Sequence, residues 1–413
     1  MTGYRQVLTL PGMAALLGVS FLARTAITAV ALALTTYVVF SLHLGYAAAG
    51  VVVAALTVGL AVGGPLLGRA IDRRGLRTVL VATSVAQAVF WWGVPFLPFR
   101  YLVGAAFVAG LLMVPVQSVT RQAITALTTV GQRRTAFACE SVQGELSYVV
   151  GPALVLLCAA GLPPRAVVWG LGAAIVAGGV GVAWLDPPLR SADETAVGTG
   201  GRPRHREWLG AGMVAVLTMA FGTAMLLGGV DLTIVAVLAE SGQLGWAAVV
   251  VAVLGPASVA GGLGYGGSTL ALPAWLLLGL LGLLTVPVGL AHGWPWLSLA
   301  LVGTGLLTAP TLATVADAVS RLAPAGVRGE ATGLQSSAQS VGFALGSPIA
   351  GMVVDASAPA GGFVVAGLAG VAAALVGWLL SRRPSHRAPH SPKDPAAALV
   401  LPTTKALRGP SSE

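Results

Sequence analysis

Charge is what this chain has least of. Of its 413 residues, 9% are charged, against about a quarter in an ordinary soluble domain. That scarcity excludes a solvated globule and most soluble enzymes. Cysteine is nearly missing too. Cys139 and Cys158 are the two, and both fall in one apolar stretch. Nineteen residues of straight helix would set them about 28 Å apart, so they cannot pair within it. No disulfide framework or cysteine metal site is readable, and neither metal-ligand spacing nor a nucleophile pair occurs. No metal and no cofactor is therefore expected, and an embedded enzyme or sensor is a remote alternative. The short polar/apolar alternation of a lipid-facing barrel is absent as well.

What is present is hydrocarbon-compatible sequence. Apolar residues make up 56% of the chain, and mean hydropathy is +0.87. A helix needs about 20 apolar residues to cross a bilayer. Twelve stretches qualify, at 12–41, 45–67, 78–98, 101–126, 136–160, 166–186, 208–238, 245–266, 269–291, 296–320, 331–354 and 361–381. Their glycine and alanine content suits helices that pack closely. The expected fold is an all-α membrane protein of twelve transmembrane helices. The first stretch is too long for a removable signal segment and is expected to stay as an anchor.

The net charge of +9 invites a nucleic-acid reading, but its distribution argues for topology. With a cytoplasmic N-terminus, twenty of the 23 Lys and Arg fall on or near that side. Arg100 and Arg165 fall on the other, and Arg24 lies inside the first stretch. This positive-inside bias predicts both termini in the cytoplasm and an even number of spans; a bacterial-type plasma membrane is the expected location. Anionic lipid, not nucleic acid, is the expected partner of the basic groups. The bundle needs no second chain to complete it, so a monomer is expected.

The chain divides into halves. Residues 187–207, with Asp193-Glu194 and Arg202-Pro203-Arg204-His205-Arg206, read as a cytoplasmic linker between bundles at 1–186 and 208–381. Residues 382–413, rich in Pro, Ser and His, read as a disordered cytoplasmic tail. An offset of 195 matches Pro115 to Pro310, Gly131 to Gly326, Arg133 to Arg328, Ala136 to Ala331, Ser141 to Ser336 and Gly151 to Gly346. An offset of 200 matches Leu44-Gly45-Tyr46 to Leu244-Gly245-Trp246. Two six-helix halves in parallel are one repeat plan of secondary transporters, with the substrate site near midplane between them.

One basic run interrupts the apolar sequence: Gly68-Arg69-Ala70-Ile71-Asp72-Arg73-Arg74-Gly75-Leu76-Arg77. Four arginines and an aspartate cannot sit in lipid, so a surface loop is predicted there. The spacing of Gly68, Asp72, Arg73, Gly75 and Arg77 resembles the signature of the major facilitator superfamily, Ala70 replacing a leucine and Leu76 a basic residue. The resemblance extends over residues 8–381. It implies two pseudo-symmetric six-helix halves and a gating role for the run, with Asp72 facing the start of the eleventh helix near Gly329 and Glu330. A carboxylate at a helix N-terminus gains about 0.3–1 kcal/mol. The corresponding segment of the second half, Gly264–Thr269, carries no charge. Gly144, Gly151 and Pro152 resemble part of the fifth-helix motif of drug–proton antiporters, although Val155-Leu156 replaces its Gly-Gly. Arg100 and Gly104 imitate a fourth-helix arginine motif, but Arg100 reads as a loop residue.

Ionisable groups inside the spans carry the remaining signal, since each costs about 2.5–3.5 kcal/mol on insertion scales. Arg24 lies near midplane. Arg121, with Gln117 one turn before it, lies about 9 Å deep. Glu140 and Glu145 follow on the fifth span. Either carboxylate reaches Arg121, but not both from one helix face. Glu145 shares a stripe with Ser141, Tyr148 and Pro152. Proton coupling needs a carboxylate in a low-dielectric cavity, and Glu145 is the candidate. A fixed ion pair to Arg121 is the competing reading. Asp231 is the candidate in the second half. Asp317 and Arg321 form an i,i+4 structural pair. Gln335 and Gln339 line the cavity or bond between helices. His43 and His292 fall in outer loops. The implied activity is secondary transport of a small organic compound by alternating access, as proton-coupled efflux. Uptake symport or uniport in the same fold is the alternative.

Overall fold

A computed structural model describes residues 2–190, 205–268, 271–291 and 293–382. His292, most of the expected linker and almost all of the expected tail lie outside the described residues. In chain order the helices are α1 (Thr2–Leu8), α2 (Met13–Thr28), α3 (Val30–Phe40), α4 (Tyr46–Arg74), α5 (Leu76–Gly93) and α6 (Phe99–Leu111). Then come α7 (Val116–Leu127), α8 (Val130–Gly161), α9 (Pro164–Leu185), α10 (His205–Trp208) and α11 (Ala211–Glu240). The chain continues as α12 (Ala247–Gly267), α13 (Ala274–Thr285), α14 (Trp294–Leu322), α15 (Arg328–Ala356) and α16 (Pro359–Ser381). Among the described residues 11 helical segments are long and apolar enough to cross a membrane, and a shorter one spans Ala274–Leu290. Only helices and closed barrels satisfy their backbone in lipid, and each of the twelve apolar stretches contains a helical segment among the described residues.

Two spans are broken into shorter helices. Pro115 lacks an amide hydrogen and breaks or kinks a helix; here it lies where α6 and α7 part as separate pieces of one span, whereas its repeat partner Pro310 sits inside the continuous α14. Between α2 and α3, Ala29 interrupts the first span without a proline. There the Thr28 hydroxyl donates to Thr25 O and Ser147 O, at 3.0 and 2.8 Å. Such side-chain bonds to the helix's own carbonyls bend helices.

The basic run corrects the surface-loop expectation. Residues 68–74 are the last two turns of α4, and one residue, Gly75, makes the turn into α5 with φ 85°. The helix runs beyond the apolar part of its span, so its charges reach water without a loop. Arg133, Arg134 and Arg328 likewise sit in the first turns of α8 and α15. Arg100 is the second residue of α6, not a loop residue, and its guanidinium lies 4.7 Å from the Tyr101 ring centre.

Two apolar clusters fill the bundle, one from buried residues 23–183 and one from 208–374. A smaller third cluster joins Val7, Met13, Ile124, Ala136 and Phe137 to Ala313 and Ala316. Within the first half, Gly151 lets α8 approach the Thr25 carbonyl on α2. Within the second, Gly346 lets α15 approach the Met225 carbonyl on α11. Gly151 and Gly346 are matched by the offset of 195, and Thr25 and Met225 by the offset of 200.

Candidate functional site

Three charged side chains converge from separate helices. Arg24 on α2 donates from Nη1 to Glu140 Oε1 on α8. Arg121 on α7 donates from Nε to Glu140 Oε2 at 3.4 Å and from Nη1 to Gln339 Oε1 on α15 at 3.4 Å. Glu140 is 0% exposed and Arg121 3%. Gly144, one turn after Glu140, faces the Arg24 guanidinium, and a Cβ there would push the guanidinium aside. Glu140 thus takes both interior arginines. Glu145 does not hold Arg121, which decides between the two acidic residues. Breaking such a buried set by removing one member costs about 3–5 kcal/mol.

Glu145 instead belongs to a second group. It is half-buried on the face of α8 that turns toward α11, α12 and α15, within electrostatic reach of Asp231 and beside Ser258. The Tyr148 phenol, one turn further along α8, lies within electrostatic reach of the Asp231 carboxylate. Its ring meets Phe343 of α15 edge-on, with centroids 5.8 Å apart. Phe343 in turn lies against Gly228, one turn before Asp231 on α11. Residues from both halves therefore surround the two carboxylates. Gln117 is half-buried on α7. Gln335 is 0% exposed, with Oε1 and Nε2 both without a hydrogen-bond partner. It sits in packed protein, while Gln339 meets Arg121.

The halves are tied together at the arginine-rich end. Asp72 accepts from Gly329 N and Glu330 N, each at 3.0 Å, so the last turn of α4 caps the start of α15. Gly68 lies directly against the Gly329 carbonyl, a contact that any Cβ would prevent. Glu330 turns elsewhere, with Oε1 2.8 Å from His205 Nε2. Arg73 and Arg77 are exposed. Opposite, the end of α12 meets the start of α8 with reversed polarity. Thr135 donates to Gly266 O at 2.8 Å, and Arg134 donates to Ser268 O. A carboxylate meets helix amides on one side, and a cation meets helix carbonyls on the other, each the favourable sign for that helix end. Tyr4 of α1 donates to Leu263 O on α12. Burial pushes the Tyr4 hydroxyl up to about 12, the Cys139 thiol adding and the Arg134 charge opposing, so it remains a neutral donor. Asp317 and Arg321 pair i,i+4 at the same end. His43 is exposed between α3 and α4.

Several of these contacts have no signature in one dimension. Tyr4, Ser258 and Phe343 carry no motif, and Ser118–Thr332 and Ser337–Ala61 O bridge the halves from ordinary polar positions. The start of α8 had a readable signal. Gln132 Oε1 accepts from Thr129 N at 3.2 Å, part of a Thr-x-x-Gln capping box that places the helix start at 130, not 136.

The profile of the Major Facilitator Superfamily matches residues 16–274 and, in a second segment, 265–411. The chain belongs to the Major Facilitator Superfamily. No curated protein matches it in sequence. Solved structures of the superfamily share its fold at low identity. The human organic anion transporter MFSD10 has 16% identity and a TM-score of 0.69, covering 91% of this chain and 99% of that one. A bacterial homologue of the iron transporter ferroportin in an outward-facing state has 14% identity and a TM-score of 0.70, covering 90% and 99%. The proton:xylose symporter XylE has 14% identity and a TM-score of 0.68, covering 91% and 96%. The superfamily member described here is thus a multi-pass membrane transporter of small molecules, working by alternating access between its two halves.

Proposed function

We propose that this transporter couples proton entry to efflux of a small organic compound, with Glu145 and Asp231 as the exchanging carboxylates. The observation that carries the reading is that Glu145 is left out of the Arg24–Glu140–Arg121 set and lies within electrostatic reach of Asp231 and Tyr148. Neighbouring carboxylates in a low-dielectric site do not both keep their charge without a counter-ion, so each shifts between a proton and another cation. Arg24, Arg121 and Glu140 hold α2, α7 and α8 in register beneath them. Gln117, Tyr148 and Gln339 supply polar walls. Gln335, one turn before Gln339 on the same face of α15, is fully buried.

The arginine-rich end is the cytoplasmic one, by the positive-inside bias, in a bacterial-type plasma membrane with both termini cytoplasmic. Gly68, Asp72, Arg73, Gly75 and Arg77 then form a cytoplasmic latch that opens as bundles 1–186 and 208–381 rock apart, within a monomer. The conformation described is closed at that end.

The test is flux in proteoliposomes under an imposed pH gradient across a compound panel. Efflux-coupled movement in the intact protein, lost in Glu145→Gln and Asp231→Asn at normal expression and melting temperature, supports the reading. Substrate moving with the proton would make it a symporter, and gradient-independent flux a uniporter.

A further inference from the structure

We propose that Gln335 is a built-in spring that opposes closure of the arginine-rich end and so sets the balance between the two states of alternating access. This role depends on the rocking of the halves, not on proton coupling or on what is carried. The face of α15 that meets α7 of the other half carries Thr332, Gln335 and Gln339, successive turns of one stripe. Two of the three bond across the seam. Thr332 meets the Ser118 hydroxyl, and Gln339 accepts from Arg121 at 3.4 Å. Gln335 lies between them, 0% exposed, with neither Oε1 nor Nε2 hydrogen-bonded. Among the described residues it is the one side chain with two such atoms. The whole donor and acceptor capacity of its amide is unused where the halves meet.

A buried polar group without a partner is less stable than the same group in water. Here that cost falls on the closed state. On its neighbouring face α15 is held fast by α4. Gly64 and Gly333 bring the two backbones so close that a Cβ on either would collide with the other's carbonyl. Ser337 donates to Ala61 O, and Asp72 accepts from Gly329 N and Glu330 N. These contacts fix the face that α15 presents to α7, and the amide is enclosed as long as they stand. Rocking the halves apart separates α7 from α15 and lets water reach both amide groups. The closing contacts and the unpaired amide therefore act in opposite directions on one equilibrium. A ligand shifts such an equilibrium only by its differential affinity for the two states. A closed state held by the Asp72 cap with nothing opposing it would take more of that affinity to open. Gln339 is the internal contrast, the same residue type on the same stripe but bonded.

The test is Gln335→Met, which keeps an unbranched side chain of similar length and removes both hydrogen-bonding groups. Amide hydrogen exchange is measured on the purified full-length protein in lipid nanodiscs, with no compound added. Residues 328–333 should exchange about fivefold to 100-fold more slowly than in the intact protein, the range for relieving one buried unpaired amide. Residues 171–182 of α9, within one half, are the reference and should keep their rate. Gln335→Leu should act in the same direction. Gln339→Met should act in the opposite one, speeding exchange at 328–333 about fivefold or more by removing the acceptor of Arg121. In the Asp72→Asn background, Gln335→Met should return part of the lost protection. Melting temperature and elution volume report folding of each variant. Unchanged or faster exchange at 328–333 in both folded Gln335 variants would mean that the amide is satisfied in the closed state, and overturns the proposal. Slowing by the same factor at 171–182 overturns it too, since the substitution would then stabilise the whole fold and not one state. So does Gln339→Met acting in the same direction as Gln335→Met.

Discussion

Asp72 offers the sharpest test of how the closed end is held. Its carboxylate accepts two backbone amides of α15, from Gly329 and Glu330, at 3.0 Å each. Substitution by Asn keeps the shape and one acceptor oxygen. It removes the charge and sets an NH2 group against a backbone N–H. A hydrogen bond to a charged group contributes about 1.5–3 kcal/mol net, and a partly buried charge at a helix N-terminus up to about 2. Water replaces part of this once the end opens, so the difference between closed and open states is about 2 kcal/mol, or roughly 30-fold in their ratio. Hydrogen exchange reads it directly. In Asp72→Asn the amides of residues 328–333 should exchange on the order of 10- to 30-fold faster, and in Asp72→Ala faster still. Arg73→Gln and Arg77→Gln should leave those amides protected, because both side chains are exposed. If the Asp72→Asn amides exchange at the rate of the intact protein, the cap does not hold the halves closed and the latch reasoning is wrong.

Other substitutions separate scaffold from carrier. Glu140→Gln leaves Arg24 and Arg121 facing each other in the interior. It should destabilise the protein by about 3–5 kcal/mol, seen as a fall in Tm in detergent. Adding Arg24→Gln should restore part of that loss, the non-additivity expected of a contacting set. Glu145→Gln, by contrast, should keep Tm within about 1 kcal/mol of equivalent stability and abolish coupling. Tyr4→Phe should speed exchange at the end of α12 by removing the donor to Leu263 O. The phenol remains neutral until pH approaches about 12. The contribution of the intact Tyr4 is fully present below the ordinary phenol value near 10 and fades only as pH rises through 12. It should therefore be constant from pH 6 to 9, and a change within that window would contradict the assignment.

The membrane-spanning plan was legible in one dimension because a bilayer imposes a length and a polarity on each span, and both are written in the residues. Twelve apolar stretches correspond to the twelve helical segments, and the repeat that joins Gly151 to Gly346 marks equivalent helix contacts. Hydrophobicity could not show where a helix ends once it leaves lipid. That is why Gly68 to Arg74 read as loop and proved to be helix, and why α8 begins at Val130, several residues before its apolar stretch. Composition also located the interior charges, because each one is rare and costly where it sits. Pairing was beyond it. Glu140 and Glu145 are five residues apart on one helix with similar reach to Arg121, and only the packing of α2 and α7 against one face of α8 assigned Glu140 to the arginines. The same packing turned Glu145 across the seam toward Asp231, 86 positions away in the chain. Spans are a property of local sequence against a uniform solvent, whereas partners are a property of which helix faces meet, and that is decided by all the helices together.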